Sequence, residues 1–256
     1  MRGTVTSADG TEIVFDRVGQ GPAVIVVGGA LMNRSSPRET VQLLAERYTV
    51  HSYDRRGRGE SGDVLPYSPE REIDDLVALL DEAGPSRVFG MSSGGFLALG
   101  IAAHDSRVVK AAVYEPPYLT GDGPLAAADY RARLDEAVAT GHPDRAVELF
   151  LRQVSGGRFD DSIRSAPWWP GMVAMGPSLR YDAALTGDGS VPVDTLSRIS
   201  APVLAMYGGA SDEWAERSVR AVAAAVPEGA ARRFDGQNHQ VDQGVLARAL
   251  AEFFDD

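Results

Sequence analysis

A serine flanked by glycines is the first feature of the sequence whose residue types suit catalysis. The segment Gly90-Met91-Ser92-Ser93-Gly94 matches G-x-S-x-G and is followed by Gly95. An apolar, strand-like stretch precedes it, and an apolar helix start follows it. This pattern is typical of a nucleophile at a sharp strand-to-helix turn, where the backbone folds back too tightly for large side chains. We predict that Ser92 is the nucleophile; Ser93 is excluded because Met91, two residues before it, is not small.

A serine hydroxyl needs a base to remove its proton, and the sequence offers four histidines. His51 lies in the middle of a predicted strand, His104 at the far end of the helix after Ser92, and His142 beside Pro143. His239 follows the last predicted strand. Because loops at the carboxyl ends of parallel strands converge on one face of a sheet, His239 is the base that we expect to reach the serine.

A carboxylate should orient the histidine and stabilise its protonated form. Asp212 comes after the strand that ends at Tyr207, and the chain order serine, aspartate, histidine is the one expected for this arrangement. Asp212 is therefore the predicted acid, although Ser211-Asp212 would also serve as a cap for the following helix. Glu115 is the alternative acid, since it ends the strand after the helix that follows the serine.

The same chemistry needs two backbone N–H groups to bind a developing oxyanion. One should come from Ser93, the residue after the nucleophile. The other should come from the turn after the apolar run Pro22–Val27, where Ala30 is the predicted donor. A phosphate-binding loop at Gly28-Gly29 is disfavoured, because neither G-x-G-x-x-G nor a P-loop follows.

Strand-like and helix-like segments alternate along most of the chain, which predicts an α/β fold with a mostly parallel, doubly wound central sheet. Residues 1–117 and 201–256 form this predicted core. Residues 118–200, called the cap segment below, have helical stretches at 125–140 and 143–154 and no convincing buried strand, which predicts a helical insertion over the serine. Its apolar residues either form a roof over a hydrophobic substrate or pack the insertion on the core: Trp168, Trp169, Met172 and Met175.

The amino-acid composition limits the kinds of partner that the protein is expected to bind. The net charge of −11 argues against nucleic acid or an anionic membrane as the main partner. With no cysteine there is neither a disulfide framework nor a thiolate site, and no apolar run has the length of a membrane span. We expect a cytoplasmic protein that needs no cofactor or metal, binds a small hydrophobic molecule, and is a monomer or homodimer.

Taken together, these residues resemble the α/β-hydrolase superfamily over nearly the whole chain. The resemblance rests on the loop from Tyr53 to Ser61, the turn around Ser92, the helical insertion and the terminal Asn238-His239. The chain is particularly similar to bacterial members with a small helical cap, which include esterases, enol-lactonases, C–C bond hydrolases and cofactor-free haloperoxidases. It departs from them at Gly28, where histidine is frequent, and at Met91, where histidine is also frequent.

The resemblance implies a serine hydrolase that cleaves an ester or lactone of a hydrophobic small molecule through an acyl-enzyme. C–C bond cleavage of a diketone and thioester hydrolysis are the alternatives on the same triad. A serine at the turn disfavours haloalkane dehalogenases and epoxide hydrolases, which need aspartate there. A non-catalytic ligand-binding protein on the same scaffold is the alternative from another class.

Overall fold

A computed structural model describes residues 1–118, 128–155 and 157–256, which are organised around one eight-stranded sheet. The strands are β1 (Arg2–Thr6), β2 (Glu12–Val18), β3 (Ala23–Val27), β4 (Thr49–Tyr53), β5 (Ser86–Met91), β6 (Val108–Tyr114), β7 (Val203–Gly208) and β8 (Gly229–Phe234). Their order in space is β1-β2-β4-β3-β5-β6-β7-β8. β2 is antiparallel to its neighbours β1 and β4, and all the other pairs of neighbouring strands are parallel.

Helices cover both faces of this sheet. The helices of the core are α1 (Arg38–Leu44), α2 (Pro69–Ala83), α3 (Gly94–His104), α9 (Glu213–Ala225) and α10 (Gln243–Asp255). Those of the cap segment are α4 (Ala128–Ala139), α5 (Pro143–Val154), α6 (Trp169–Met175), α7 (Leu179–Thr186) and α8 (Val193–Leu196), with 3-10 turns at Asp161–Ser165 and Gly176–Ser178. None of these helices is long and apolar enough to cross a bilayer, within the residues described.

The two faces of the sheet carry separate cores because successive side chains of a strand point to opposite sides. In β3, Ile25 and Val27 join the cluster beneath α2, α3 and α9, whereas Val24 and Val26 join the cluster beneath α1 and α10. All four side chains are buried, which accounts for the continuous apolar run in the sequence. The predicted doubly wound α/β fold is therefore the observed one.

In its described part, residues 118, 128–155 and 157–200, the cap segment contains helices, turns and irregular stretches but no strand. Of the predicted stretches, α5 matches 143–154, while α4 covers 128–139 of the predicted 125–140; residues 125–127 lie outside the described part. The helices α6, α7 and α8 were not predicted. They have four to eight residues, too few for a hydrophobic period to become visible in the sequence.

Candidate active site

Ser92 lies at the sharp turn between β5 and α3 and has the left-handed backbone angle φ +52°. A non-glycine residue in this region is strained and persists only where its surroundings hold it. The glycines around it are required by space: a Cβ at Gly90 would lie 2.3 Å from the carbonyl oxygen of Gly94, and a Cβ at Gly94 would lie 2.4 Å from the carbonyl oxygen of Val27. The turn has the geometry that the G-x-S-x-G pattern predicts.

The turn after β3 lies directly beside this serine. β3 and β5 are neighbours, with Val27 opposite Gly90, so both strands end at the same level. A Cβ at Gly29 would lie only 3.0 Å from the Cβ of Ser92. Ala30, the next residue, is half-buried, and Ser93 is buried on the other side of the nucleophile. The backbones of both predicted oxyanion donors therefore come close to Ser92.

His239 lies on the loop after β8, and its ring contacts a buried carboxylate. The Nδ1 atom is 2.7 Å from Oε2 of Glu115. Glu115 follows β6, is fully buried, and has the left-handed angle φ +45°. Its Oε1 atom accepts hydrogen bonds from the backbone N–H of Gly208, at 2.8 Å, and from the hydroxyl of Ser211, at 2.5 Å. The carboxylate is thus held by the last residue of β7 and by the loop after it, while its other oxygen contacts the histidine.

The predicted partner, Asp212, does not occupy this place. It is exposed and stands at the N-cap position of α9, where its backbone oxygen accepts the N–H of Ala215. Its side chain makes no capping hydrogen bond. The residue on Nδ1 of His239 is the alternative, Glu115. β6 lies next to β5, so Glu115, the residue after β6, leaves the sheet beside Ser92.

His239 is partly exposed to solvent. Its side chain is 46% exposed, and the ring of Trp214 lies with its centroid 6.2 Å away. Within the described residues, no hydrogen bond joins the Ser92 hydroxyl to His239. Such catalytic hydrogen bonds commonly close only when a substrate is bound.

The four apolar residues of the cap segment that were singled out from the sequence fall into two groups, packed and exposed. Trp169 is buried, and its ring packs edge-on against Phe159, with 6.3 Å between centroids; Met172 and Met175 pack on the same cluster. Trp168 is 50% exposed. The cluster around Trp169 also contains Leu31 of the turn after β3. The packing function expected for these side chains is therefore present for three of the four, and a direct contact with substrate stays a prediction.

A buried network of charges that the sequence did not predict lies next to the serine. Asp182, on α7, accepts hydrogen bonds from Nη1 of Arg55 (2.9 Å), Nη2 of Arg58 (2.7 Å) and the hydroxyl of Ser93 (2.6 Å). Arg55 also forms a two-point ion pair with Glu72, both distances being 2.7 Å. The only sign of this network in the sequence is the presence of three arginines within the four residues 55–58. All three are buried, which is unusual for arginine.

Asp182 remains ionised in this environment. Burial by itself would raise its pKa, but the charges of Arg58 and Arg55 and the hydrogen bond from Ser93 outweigh burial and hold the pKa below its usual value. Two guanidinium groups and two carboxylates balance one another, which is the arrangement in which buried charges are tolerated.

Comparison with known proteins shows the family to which the chain belongs. A sequence model described as "Alpha/beta hydrolase family" matches residues 23–255. The chain belongs to the alpha/beta hydrolase family. An alpha/beta hydrolase from Sphaerobacter thermophilus is 43% identical in sequence, with a TM-score of 0.91 over 98% of this chain and 100% of that one.

Two curated relatives extend the comparison. A pimeloyl-[acyl-carrier protein] methyl ester esterase from Aeromonas hydrophila is 30% identical over 209 residues, 77% of this chain and 80% of that protein. The proline iminopeptidase PfmaB from Pestalotiopsis fici is 29% identical over 113 residues, so the aligned part spans only 40% of that relative's length.

Proposed function

We propose that this hydrolase is a serine esterase in which Ser92, His239 and Glu115 form the catalytic triad. The observation that carries the proposal is the buried Glu115 carboxylate, 2.7 Å from Nδ1 of a histidine that lies at the same sheet edge as a strained serine. Glu115 holds the ring so that Nε2 is available as the base, and it stabilises the imidazolium. Glu115 takes the function first predicted for Asp212.

The reaction proceeds in two steps on this constellation. Ser92 Oγ attacks the ester carbonyl while His239 accepts the hydroxyl proton, and the negative charge of the tetrahedral intermediate is bound by the backbone N–H groups of Ala30 and Ser93. His239 then protonates the leaving alcohol, and an acyl-enzyme forms on Ser92. Water, deprotonated by His239, attacks this acyl group and releases the carboxylic acid.

An ester of a hydrophobic small molecule is the substrate class that we favour. The likeness to a methyl ester esterase over 77% of this chain supports oxygen-ester cleavage over lactone opening, thioester hydrolysis and C–C bond cleavage. Trp168, Met172 and Met175 in the cap segment supply apolar surface for the acyl or alcohol part. A panel of p-nitrophenyl esters, lactones, acyl thioesters and a diketone separates these classes; faster turnover of any of the last three would replace this assignment.

Covalent labelling tests the nucleophile. A fluorophosphonate probe should label the folded protein at one equivalent, and Ser92→Ala should abolish both labelling and p-nitrophenyl butyrate hydrolysis. Ser36→Ala, at an exposed serine before α1, is the matched control and should change neither. Labelling that survives in Ser92→Ala, or a folded wild-type protein that is not labelled, would refute the proposal.

A further inference from the structure

The two proposed oxyanion donors are each attached to the buried network around Asp182. Arg58 reaches this network and the turn after β3 at once: its Nη1 donates to the carbonyl oxygen of Gly29 at 2.6 Å, and its Nη2 donates to Asp182 at 2.7 Å. The side chain of Arg58 is completely buried, and that of Asp182 is only 8% exposed. The contact is therefore a charge-assisted bond in a place that water does not screen.

The carbonyl that Arg58 binds belongs to the peptide unit of the donor itself. The C=O of Gly29 and the N–H of Ala30 are the two ends of one peptide group, which is planar. This group is trans, so its C=O and N–H point in opposite directions. A guanidinium that fixes the carbonyl on one side consequently fixes the direction of the Ala30 N–H on the other, and the positive charge strengthens that N–H as a donor.

The second donor is tied to the same carboxylate. The Ser93 hydroxyl donates to Oδ1 of Asp182 at 2.6 Å and accepts from Nη1 of Arg55 at 3.3 Å. Arg55 Nη1 also lies 3.3 Å from the carbonyl oxygen of Gly28. Asp182 belongs to α7, and so to the cap segment, whereas both donors belong to the core. One residue of the cap segment thus contacts the supports of both donors.

We propose that Arg58 is a positioning residue of the oxyanion hole and that Asp182, supplied by the cap segment, holds it in place. This inference rests on the proposed serine esterase function. It assigns the cap segment a part in transition-state binding: the docking of α7 sets the orientation of the N–H groups that bind the oxyanion.

The test compares two neighbouring arginines. Arg58→Lys keeps the charge, but one ammonium group cannot reproduce the two-armed contact with Gly29 and Asp182. The control is Arg56→Lys: Arg56 is equally buried and forms a two-point pair with Asp75 on α2 (2.9 and 2.6 Å). It contacts neither donor. Comparable urea midpoints for the two variants establish that both are folded to a similar extent.

We expect kcat on p-nitrophenyl butyrate to fall about tenfold or more in Arg58→Lys, with KM within about threefold, because a misdirected donor weakens only the transition state. The inhibition constant of a trifluoromethyl ketone, which forms a tetrahedral adduct on Ser92, should rise by the same factor as kcat/KM falls. Inhibition by the product, butyrate, should not change. Arg56→Lys should leave kcat, KM and inhibition by the ketone and by butyrate near their wild-type values.

Equal kcat in Arg58→Lys and the wild type, or equal losses in both arginine variants, would overturn the inference. If Arg58→Lys does not fold, Ser93→Ala decides whether the Asp182 network supports the oxyanion donors. It removes the hydroxyl's contacts with Asp182 and Arg55 and should lower kcat without changing KM, and an unchanged kcat would overturn the inference. A wild-type protein that neither hydrolyses esters nor reacts with fluorophosphonate would instead overturn the proposed function, so the two failures are distinguishable.

Discussion

Glu115 is a single residue whose burial, backbone conformation and hydrogen bonds all bear on the geometry of the proposed site. Its side chain is buried, its backbone is in the left-handed region, and each carboxylate oxygen has a partner. Ser92 is likewise left-handed. Strain of this kind costs about 1–3 kcal/mol per residue and is retained where a side chain must be presented in one direction. Ser92 and Glu115 directly follow neighbouring strands, β5 and β6, and both belong to the proposed triad.

The first prediction at the scale of single residues concerns the acid of the proposed triad. Glu115→Gln removes the negative charge but keeps an oxygen for the Gly208 N–H, so the fold should persist. We expect kcat to fall at least about 100-fold, because the histidine loses the group that orients it and stabilises its charge. Asp212→Asn, at the exposed N-cap, should keep kcat within about twofold of wild type. Ester hydrolysis by the two purified variants measures this; the opposite order would return the acid to Asp212.

A second prediction concerns the strand before the nucleophile. Gly90→Ala places a Cβ 2.3 Å from the Gly94 oxygen and 2.7 Å from the Cβ of Ala98. We expect the free energy of unfolding to fall by about 1–3 kcal/mol, because α3 must move away from β5. In Gly171→Ala, on α6, the new methyl group meets nothing within 4 Å, and helix propensity favours alanine. Urea denaturation should show loss in the first and no loss in the second.

At the scale of elements, the parallel strands from β4 to β8 bring every proposed catalytic group to one edge. β3, β5, β6 and β8 end in the turns that hold Ala30, Ser92, Glu115 and His239 respectively. β4, by contrast, carries His51 inside the core, next to Phe15 at 5.5 Å between ring centroids. This histidine has no part in the proposed reaction, but its burial makes stability depend on pH.

Burial lowers the pKa of His51 below its ordinary value of 6.5, and the nearby charge of Arg17 lowers it further against a smaller opposing effect of Glu82. Below pH 6.5 the unfolded chain therefore binds a proton that the folded chain resists, and the free energy of unfolding falls as the pH falls. His51→Phe should lose less stability than wild type between pH 8 and pH 5.5. Urea midpoints at both pH values measure this, with the exposed His104→Gln as a control that keeps the wild-type difference.

At the scale of the whole molecule, two of the contacts that join the cap segment to the core reach the turn after β3. One is the charge network of Asp182 with Arg55 and Arg58. The other is the apolar cluster that combines Leu31 of the core with Trp169 and its neighbours in the cap segment. Because both contacts reach the turn after β3, we expect the cap segment to unfold together with the core.

Two adjacent tryptophans test this coupling. Trp169→Ala removes a buried ring and should lower the free energy of global unfolding by about 3–5 kcal/mol. Trp168→Ala removes a half-exposed ring and should cost less than about 1 kcal/mol. Denaturation followed by circular dichroism checks both values. A separate early transition in Trp169→Ala, with the main transition unchanged, would contradict the coupling of cap segment and core.

The sequence by itself determined the fold class and the turn around Ser92, because hydrophobic period and glycine placement are local properties that a chain displays in order. It also limited the acid to Asp212 or Glu115. Tertiary structure favours Glu115, since both residues follow strands that end at the same sheet edge and only the folded chain shows which carboxylate contacts His239 and which is exposed.

The network of Arg55, Arg58 and Asp182 was beyond sequence reasoning for the same physical reason. Asp182 is separated from Arg55 by 127 positions and comes from a helix too short to show a period. Whether a buried arginine has a partner depends on a distance in space. Only the folded chain brought that carboxylate to the arginines and to the hydroxyl of Ser93.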